Sequence, residues 1–162
     1  MAEIVLCRID SRLIHGQVMT KWVNQVQANK IVVISDELAA DDFLRSIYLM
    51  AAPSGVEVIC LSENDAVESW LTSKFGNGRV LMLLPNVEVM KRVSDKGIEV
   101  EKIQIGGLGG APNRKVVYQN ITLDNQDTED IQYLLGKNIE IVFQTIPEDN
   151  PKKAKDIIAK FY

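Results

Sequence analysis

The sequence predicts a single α/β domain with a mainly parallel central sheet and helices on both faces. Three observations point there. Short β-branched runs alternate with longer segments of helical period from one end of the chain to the other. The runs Ile31-Val-Val-Ile34 and Val80-Leu-Met-Leu-Leu84 are apolar without interruption, as strands are when both faces are covered. The connections are short, and alternating strand and helix with short links favours a parallel sheet. At 162 residues, with no internal repeat, low-complexity tract or linker-like shift, the chain reads as one domain over 1–162.

Taken in order, the first strand falls at Glu3–Ile9 and a helical segment follows at Gly16–Gln27. A second strand, Lys30–Ser35, leads past Asp36 into a helix at Leu38–Ala51, and Gly55 is placed to end it. Strand Val56–Leu61 is followed by Ser62, an N-cap candidate for the helix Glu63–Phe75. Strand Arg79–Leu84 and helix Val87–Ser94 come next, with Gly97 just past the helix. Strand Lys102–Ile105 precedes a weaker extended piece at Lys115–Leu123. Helix Asp127–Leu135, closed by Gly136, strand Glu140–Thr145 and a helix Lys152–Phe161 opened by Pro151 complete the chain.

Composition removes several function classes. The apolar share is 46%, the charged share 25% and the formal charge −4, with no basic block, so nucleic-acid binding lacks its positive footprint. The longest apolar stretches, Ile47–Ala52 and Val80–Leu84, fall far short of the ~20 residues that span a bilayer. The opening Met-Ala-Glu-Ile lacks the basic and apolar regions of a secretory signal, which suggests a cytoplasmic domain. Cys7 and Cys60 lie in apolar runs and read as reduced, buried thiols. One histidine in the whole chain excludes two-imidazole chemistry and most metal sites. Trp22 and Trp70 sit on helical segments and read as core or partner-surface residues.

The most unusual segment is Arg8-Ile-Asp-Ser-Arg-Leu-Ile-His-Gly-Gln-Val18, directly after the first strand. Ligands of open α/β sheets bind at the carboxyl ends of strands, near a switch in topology. Here two guanidiniums, a carboxylate and the lone histidine fall within eight residues, ahead of a glycine that can open a helix. Unpaired amides at that helix start, with two arginines, make an anion site that suits phosphate. A neutral imidazole there is a nucleophile, and Asp10 could orient it or hold an arginine. By spacing alone the cluster also fits a structural histidine flanked by ordinary ion pairs. The stretch Gly106-Gly-Leu-Gly-Gly110 lacks the spacing of a dinucleotide fingerprint, and no GxxxxGK[ST] occurs. It reads either as a turn or as a wall of the same site. A receiver-type phospho-acceptor is disfavoured, because the third strand ends in Cys60-Leu-Ser62 rather than an aspartate.

The Arg8–Val18 segment resembles the signature of enzyme IIB of the mannose/fructose/sorbose family of the bacterial sugar phosphotransferase system. Trp22, Lys30-Ile-Val-Val-Ile-Ser-Asp-Glu-Leu-Ala39, Met50-Ala-Ala-Pro-Ser-Gly-Val56, Ile105-Gly-Gly107 and Asn138-Ile-Glu-Ile-Val-Phe-Gln-Thr-Ile-Pro147 extend the likeness over nearly the whole chain. The resemblance implies a phosphocarrier that takes a phosphoryl group from a phospho-histidine IIA component. It implies transfer to a sugar during uptake through the membrane components IIC and IID, with the phosphate held transiently on His15 Nδ1. Arg8, Arg12, Gly16 and Gln17 would bind the phosphate, and Asp10 would orient the imidazole. It implies no metal or nucleotide at this step, phosphoenolpyruvate as the ultimate donor, and a protein working at the inner face of the membrane. Gln104-Ile105 stands where such proteins usually carry an asparagine, a departure that puts a contact from that loop to the site in doubt. The competing expectation is a non-catalytic α/β module that senses phosphate with the same arginines.

Overall fold

A computed structural model describes residues 1–162, apart from the side chains of Gln17 and Val18. The chain begins β1 (Glu3–Asp10), α1 (Gly16–Val26), β2 (Lys30–Ile34), α2 (Asp36–Ala40), α3 (Asp42–Met50) and β3 (Glu57–Leu61). It continues α4 (Glu63–Ser73), β4 (Arg79–Leu84), α5 (Val87–Asp95), β5 (Lys102–Gly107), β6 (Lys115–Tyr118) and β7 (Ile121–Leu123). Last come α6 (Asn125–Leu135), β8 (Glu140–Phe143), β9 (Lys152–Lys153) and α7 (Ala154–Phe161).

Seven strands form the central sheet in the order β3-β2-β4-β1-β5-β8-β9, and β6 and β7 form a small sheet of their own. Every pairing in the large sheet is parallel except β8 with β9. Successive strand residues point to opposite faces, so each strand serves two cores. Ile31, Val33, Leu81 and Leu83 meet Met19 and Trp22 of α1 and Leu38 of α2 on one face. Val32, Ile34, Met82 and Leu84 meet Trp70 of α4, Met90 of α5 and Ile158 of α7 on the other. Each such fully buried aliphatic side chain contributes about 1.5–3 kcal/mol, which is why these strands need no polar face. From β1 the chain moves toward β2 and β3 on one flank, whereas from β4 it crosses to β5 on the other. Those routes diverge at the carboxyl end of β1, where such a sheet opens a crevice.

The α/β prediction holds, and four local expectations change. The helix expected over Leu38–Ala51 is two helices, because Asp41 is extended (φ −114°, ψ 99°) and its carboxylate caps α3 by accepting from Leu44 N–H at 2.9 Å. The last helix starts at Ala154, since Lys152 and Lys153 instead pair antiparallel with Phe143 and Val142. Gly136 is right-handed (φ −65°), and Asn138 (φ 64°) takes the left-handed position that follows α6. The extended piece at Lys115–Leu123 is the β6–β7 hairpin, tied to the end of β5 by a bridge between Leu108 and Ile121.

Candidate active site

β1 ends between β4 and β5, with Arg8 opposite Gln104, Ile9 opposite Ile105 and Asp10 opposite Gly107. Its last residues are covered from every side, so the Asp10 carboxylate is fully buried. The chain turns sharply beyond it. Arg12 N–H donates to Asp10 Oδ1 at 3.0 Å, and Leu13 N–H donates to the Asp10 carbonyl at 2.9 Å. Leu13 takes a left-handed conformation (φ 56°), and its side chain and that of Ile14 are buried in the core shared with α1. With the loop pinned in this way, His15 becomes the extended N-cap residue of α1, without a side-chain bond of its own to the helix amides. Gly16 follows at φ +42°, where a Cβ would meet nothing. Backbone conformation, not space, calls for glycine there.

Asp10 gathers the site around itself. Oδ1 accepts from Arg12 Nε at 3.0 Å. Oδ2 accepts from Arg12 Nη2 at 3.1 Å and Arg8 Nη2 at 3.2 Å, and it lies 3.1 Å from His15 Nε2. Burial alone would push this carboxyl up, but the His15 and Arg12 hydrogen bonds and the Arg8 charge outweigh it and hold Asp10 well below the usual carboxylate range. An ionised carboxylate can only accept. His15 Nε2 must therefore carry the proton it shares with Asp10, and in the neutral ring the lone pair sits on Nδ1. The His15 side chain is 20% exposed and so is not sealed in the core.

The two arginines divide. Arg12 is 44% exposed and lies at the rim. Arg8, expected beside a phosphate, is instead fully buried and faces inward. Its Nη1 donates to the Gln104 side-chain oxygen and, at 3.1 Å, to the Gln144 carbonyl. Its Nη2 donates to Asp10 and, at 3.0 Å, to the Thr145 carbonyl. The Trp22 ring covers the guanidinium at 5.3 Å, and Trp22 Nε1 donates to the same Thr145 carbonyl at 2.9 Å. Burial outweighs the upward pull of Asp10 and lowers the Arg8 guanidinium to about 10, so it remains a cation at neutral pH.

The structure brings His15, Asp10, Arg12 and Arg8 together and sets Gly16 at the helix start. The side chain of Gln17 lies outside the described residues. Gln104, where a contact was in doubt, is buried and bonded to Arg8. The glycine run also walls the site. A Cβ on Gly106 would fall 2.0 Å from Arg8 Cζ, and one on Gly107 would fall 2.9 Å from both Asp10 Oδ1 and Arg12 Nη2. Trp22, which reads in the sequence as a core or partner-surface residue, lies in the core and also supports Arg8. A charged residue placed in a strand that is apolar on both sides is the signal that could have shown Arg8 to be interior. Gln104 gave no such signal. Among the described residues, no group of three or more His, Cys, Asp or Glu could hold a metal ion. Nor is any helix among them long and apolar enough to cross a membrane.

Comparison with known proteins places this geometry. A family described as the PTS system sorbose subfamily IIB component matches residues 4–161. The mannose-specific EIIAB component of Escherichia coli K12 is 30% identical over 97% of this chain and 49% of its own length, so the chain spans about half of that relative. The fructose-specific EIIB component of Bacillus subtilis is 26% identical over 92% of this chain and 91% of its own length. Among solved structures, manxB from Thermoanaerobacter tengcongensis superposes with a TM-score of 0.93 at 36% identity, covering 100% of this chain and 98% of that one. The IIBSor domain of the Klebsiella pneumoniae sorbose permease gives 0.93 at 28% identity, covering 99% and 98%.

Proposed function

Because the chain belongs to the sorbose-subfamily IIB component family of the sugar phosphotransferase system, we propose that it accepts a phosphoryl group on His15 Nδ1 from a phospho-histidine IIA component. We further propose that it hands this group to a sugar entering through the membrane components IIC and IID. The observation that carries the reading is the buried, ionised Asp10 at 3.1 Å from His15 Nε2, which leaves the lone pair on Nδ1.

In the first transfer, Nδ1 attacks phosphorus in line, the donor's N–P bond breaks, and the donor nitrogen keeps the bonding pair. His15 becomes a phosphoryl imidazolium whose Nε2–H still points at Asp10, the role a carboxylate plays beside a catalytic imidazole. Positioning and charge balance are what a protein supplies to such a reaction. Arg8 and Arg12 against Asp10 leave one net positive charge before transfer. The incoming dianion and the new imidazolium bring the cluster to neutrality. Arg12, at the rim, and the start of α1 face the phosphoryl oxygens, and Arg8 supports Asp10 from behind. In the second transfer a sugar hydroxyl oxygen attacks phosphorus, the Nδ1–P bond breaks, and Nδ1 recovers its lone pair. The hydroxyl proton leaves to a base at the sugar's own site. Neither step draws on a metal or a nucleotide, and phosphoenolpyruvate is the ultimate source of the group.

The names of the relatives support a sugar as the final acceptor, because mannose, fructose and sorbose appear in them. The test is His15→Ala. It should keep the wild-type circular dichroism spectrum and accept no label from charged IIA. Label acceptance by the folded variant would overturn the assignment.

A further inference from the structure

Asp10 can hold His15 in one tautomer only if it is itself held, and its interior partner is Arg8. Resting on the reading of His15 as the phosphoryl acceptor, we propose that Gln104 is a positioning residue. Its amide oxygen holds Arg8 Nη1, aims Nη2 at Asp10 and so keeps His15 in the Nε2–H form.

Gln104 lies on β5 directly opposite Arg8 and is 3% exposed. Its oxygen accepts from Arg8 Nη1. Its nitrogen donates to Gln144 Oε1 at 3.4 Å, and Gln144 Nε2 donates in turn to the Asp149 carbonyl at 2.9 Å. This chain of amides fixes which end of Gln104 meets the guanidinium, because a donor turned toward Arg8 would face another donor. The guanidinium has little freedom otherwise. Trp22 covers it, and the bare Cα of Gly106 lies against it so closely that a methyl group would overlap Cζ. Without the Gln104 oxygen, Nη1 keeps one carbonyl, at Gln144, and the guanidinium can turn within its slot. Turning it withdraws Nη2 from Asp10 Oδ2, the same oxygen that meets His15.

The chain has one histidine, so its ring nitrogens give ¹⁵N signals that need no assignment. In this 162-residue chain at about pH 8, where an ordinary imidazole is neutral, the wild type should show the Nε2–H pattern. Gln104→Met keeps length and bulk but has no acceptor oxygen. It should move the pattern toward a mixture of tautomers and slow phosphoryl acceptance roughly ten- to a hundredfold, the scale of a misplacement of about 1 Å. Gln104→Glu retains an acceptor oxygen and should restore the Nε2–H pattern. If the methionine variant does not fold, Gln104→Asn, whose oxygen falls one methylene short, should show the same mixture. An unchanged Nε2–H pattern in a folded methionine or asparagine variant would overturn the proposal. A wild type that shows the pattern and loses it in these variants, yet never takes label on His15, would refute the phosphoryl reading and support the role of Gln104.

Discussion

Asp10→Asn is the most demanding perturbation of the site. The Asp10 carboxylate is fully buried and receives two bonds from Arg12 at Oδ1. Oδ2 receives Arg8, Arg12 and His15. An asparagine offers one acceptor oxygen, and its NH₂ group must face donors on the other side. Breaking a buried ion pair by removing one partner costs about 3–5 kcal/mol, and we expect that loss at pH 7. The loss should depend on pH in a defined direction. The folded-state pKa of Asp10 is depressed, by the His15 and Arg12 hydrogen bonds and the Arg8 charge acting against burial. Its contribution is therefore fully present above the unfolded value, about 3.9, and is lost as pH falls below that value toward the folded one. Urea unfolding of both proteins from pH 7 down to about pH 3 should show the gap narrowing only below about pH 4. Phosphoryl acceptance should fall further than stability does. The imidazole loses the anion that selects its tautomer, and in a serine-protease triad the same change costs roughly 10⁴-fold. A stability gap that stays constant from pH 7 to 3, or near-normal transfer in a folded Asp10→Asn variant, would refute the reasoning.

Three further outcomes follow from neighbouring residues. Arg12→Ala should slow transfer by about 2–4 kcal/mol of transition-state stabilisation, while moving unfolding by no more than about 1 kcal/mol because the side chain is half exposed; equal rates would show that Arg12 is structural. Gly106→Ala places a Cβ 2.0 Å from Arg8 Cζ, and the guanidinium is too firmly bonded to yield. It should cost about 1–3 kcal/mol in urea unfolding, as overpacking does, and a variant as stable as wild type would contradict the tight seat. Burial pushes the Cys7 thiol up to about 12, whereas Cys60 is only partly buried. Iodoacetamide at neutral pH should therefore modify Cys60 ahead of Cys7 by mass spectrometry, and the reverse order would contradict the packing of β1.

Much of this was legible in the sequence because it depended on neighbours along the chain. The alternation of strand and helix, the apolar runs and the loop from Arg8 to Gly16 all express local pattern. Ser62 reads as a cap and is one, accepting from Asp65 N–H. Asp41 was harder, since the apolar spacing runs on through it and only its own capping bond breaks the helix. Lys152 and Lys153 look like a wet helical face, and pairing with β8 overrides that preference. Arg8 reads in the sequence as a phosphate ligand or an ordinary ion-pair partner, because only its neighbours along the chain are in view. Its interior partners, Gln104 on β5 and the carbonyls of Gln144 and Thr145 just past β8, lie 96 to 137 residues along the chain and only the sheet order brings them near. The glycines at 106 and 107 likewise needed Arg8 and Asp10 in place before their lack of a Cβ had meaning.

The most direct test of the central claim is a phosphorylation relay. The protein is mixed with labelled phosphoenolpyruvate, enzyme I, the general phosphocarrier protein and a cognate IIA, quenched in alkali and mapped by peptide. Acid-labile, alkali-stable label should appear on His15 and disappear when sugar and the membrane components are added. Label on another residue, or none while IIA is demonstrably charged, would contradict it and leave a loop that binds phosphate without accepting it.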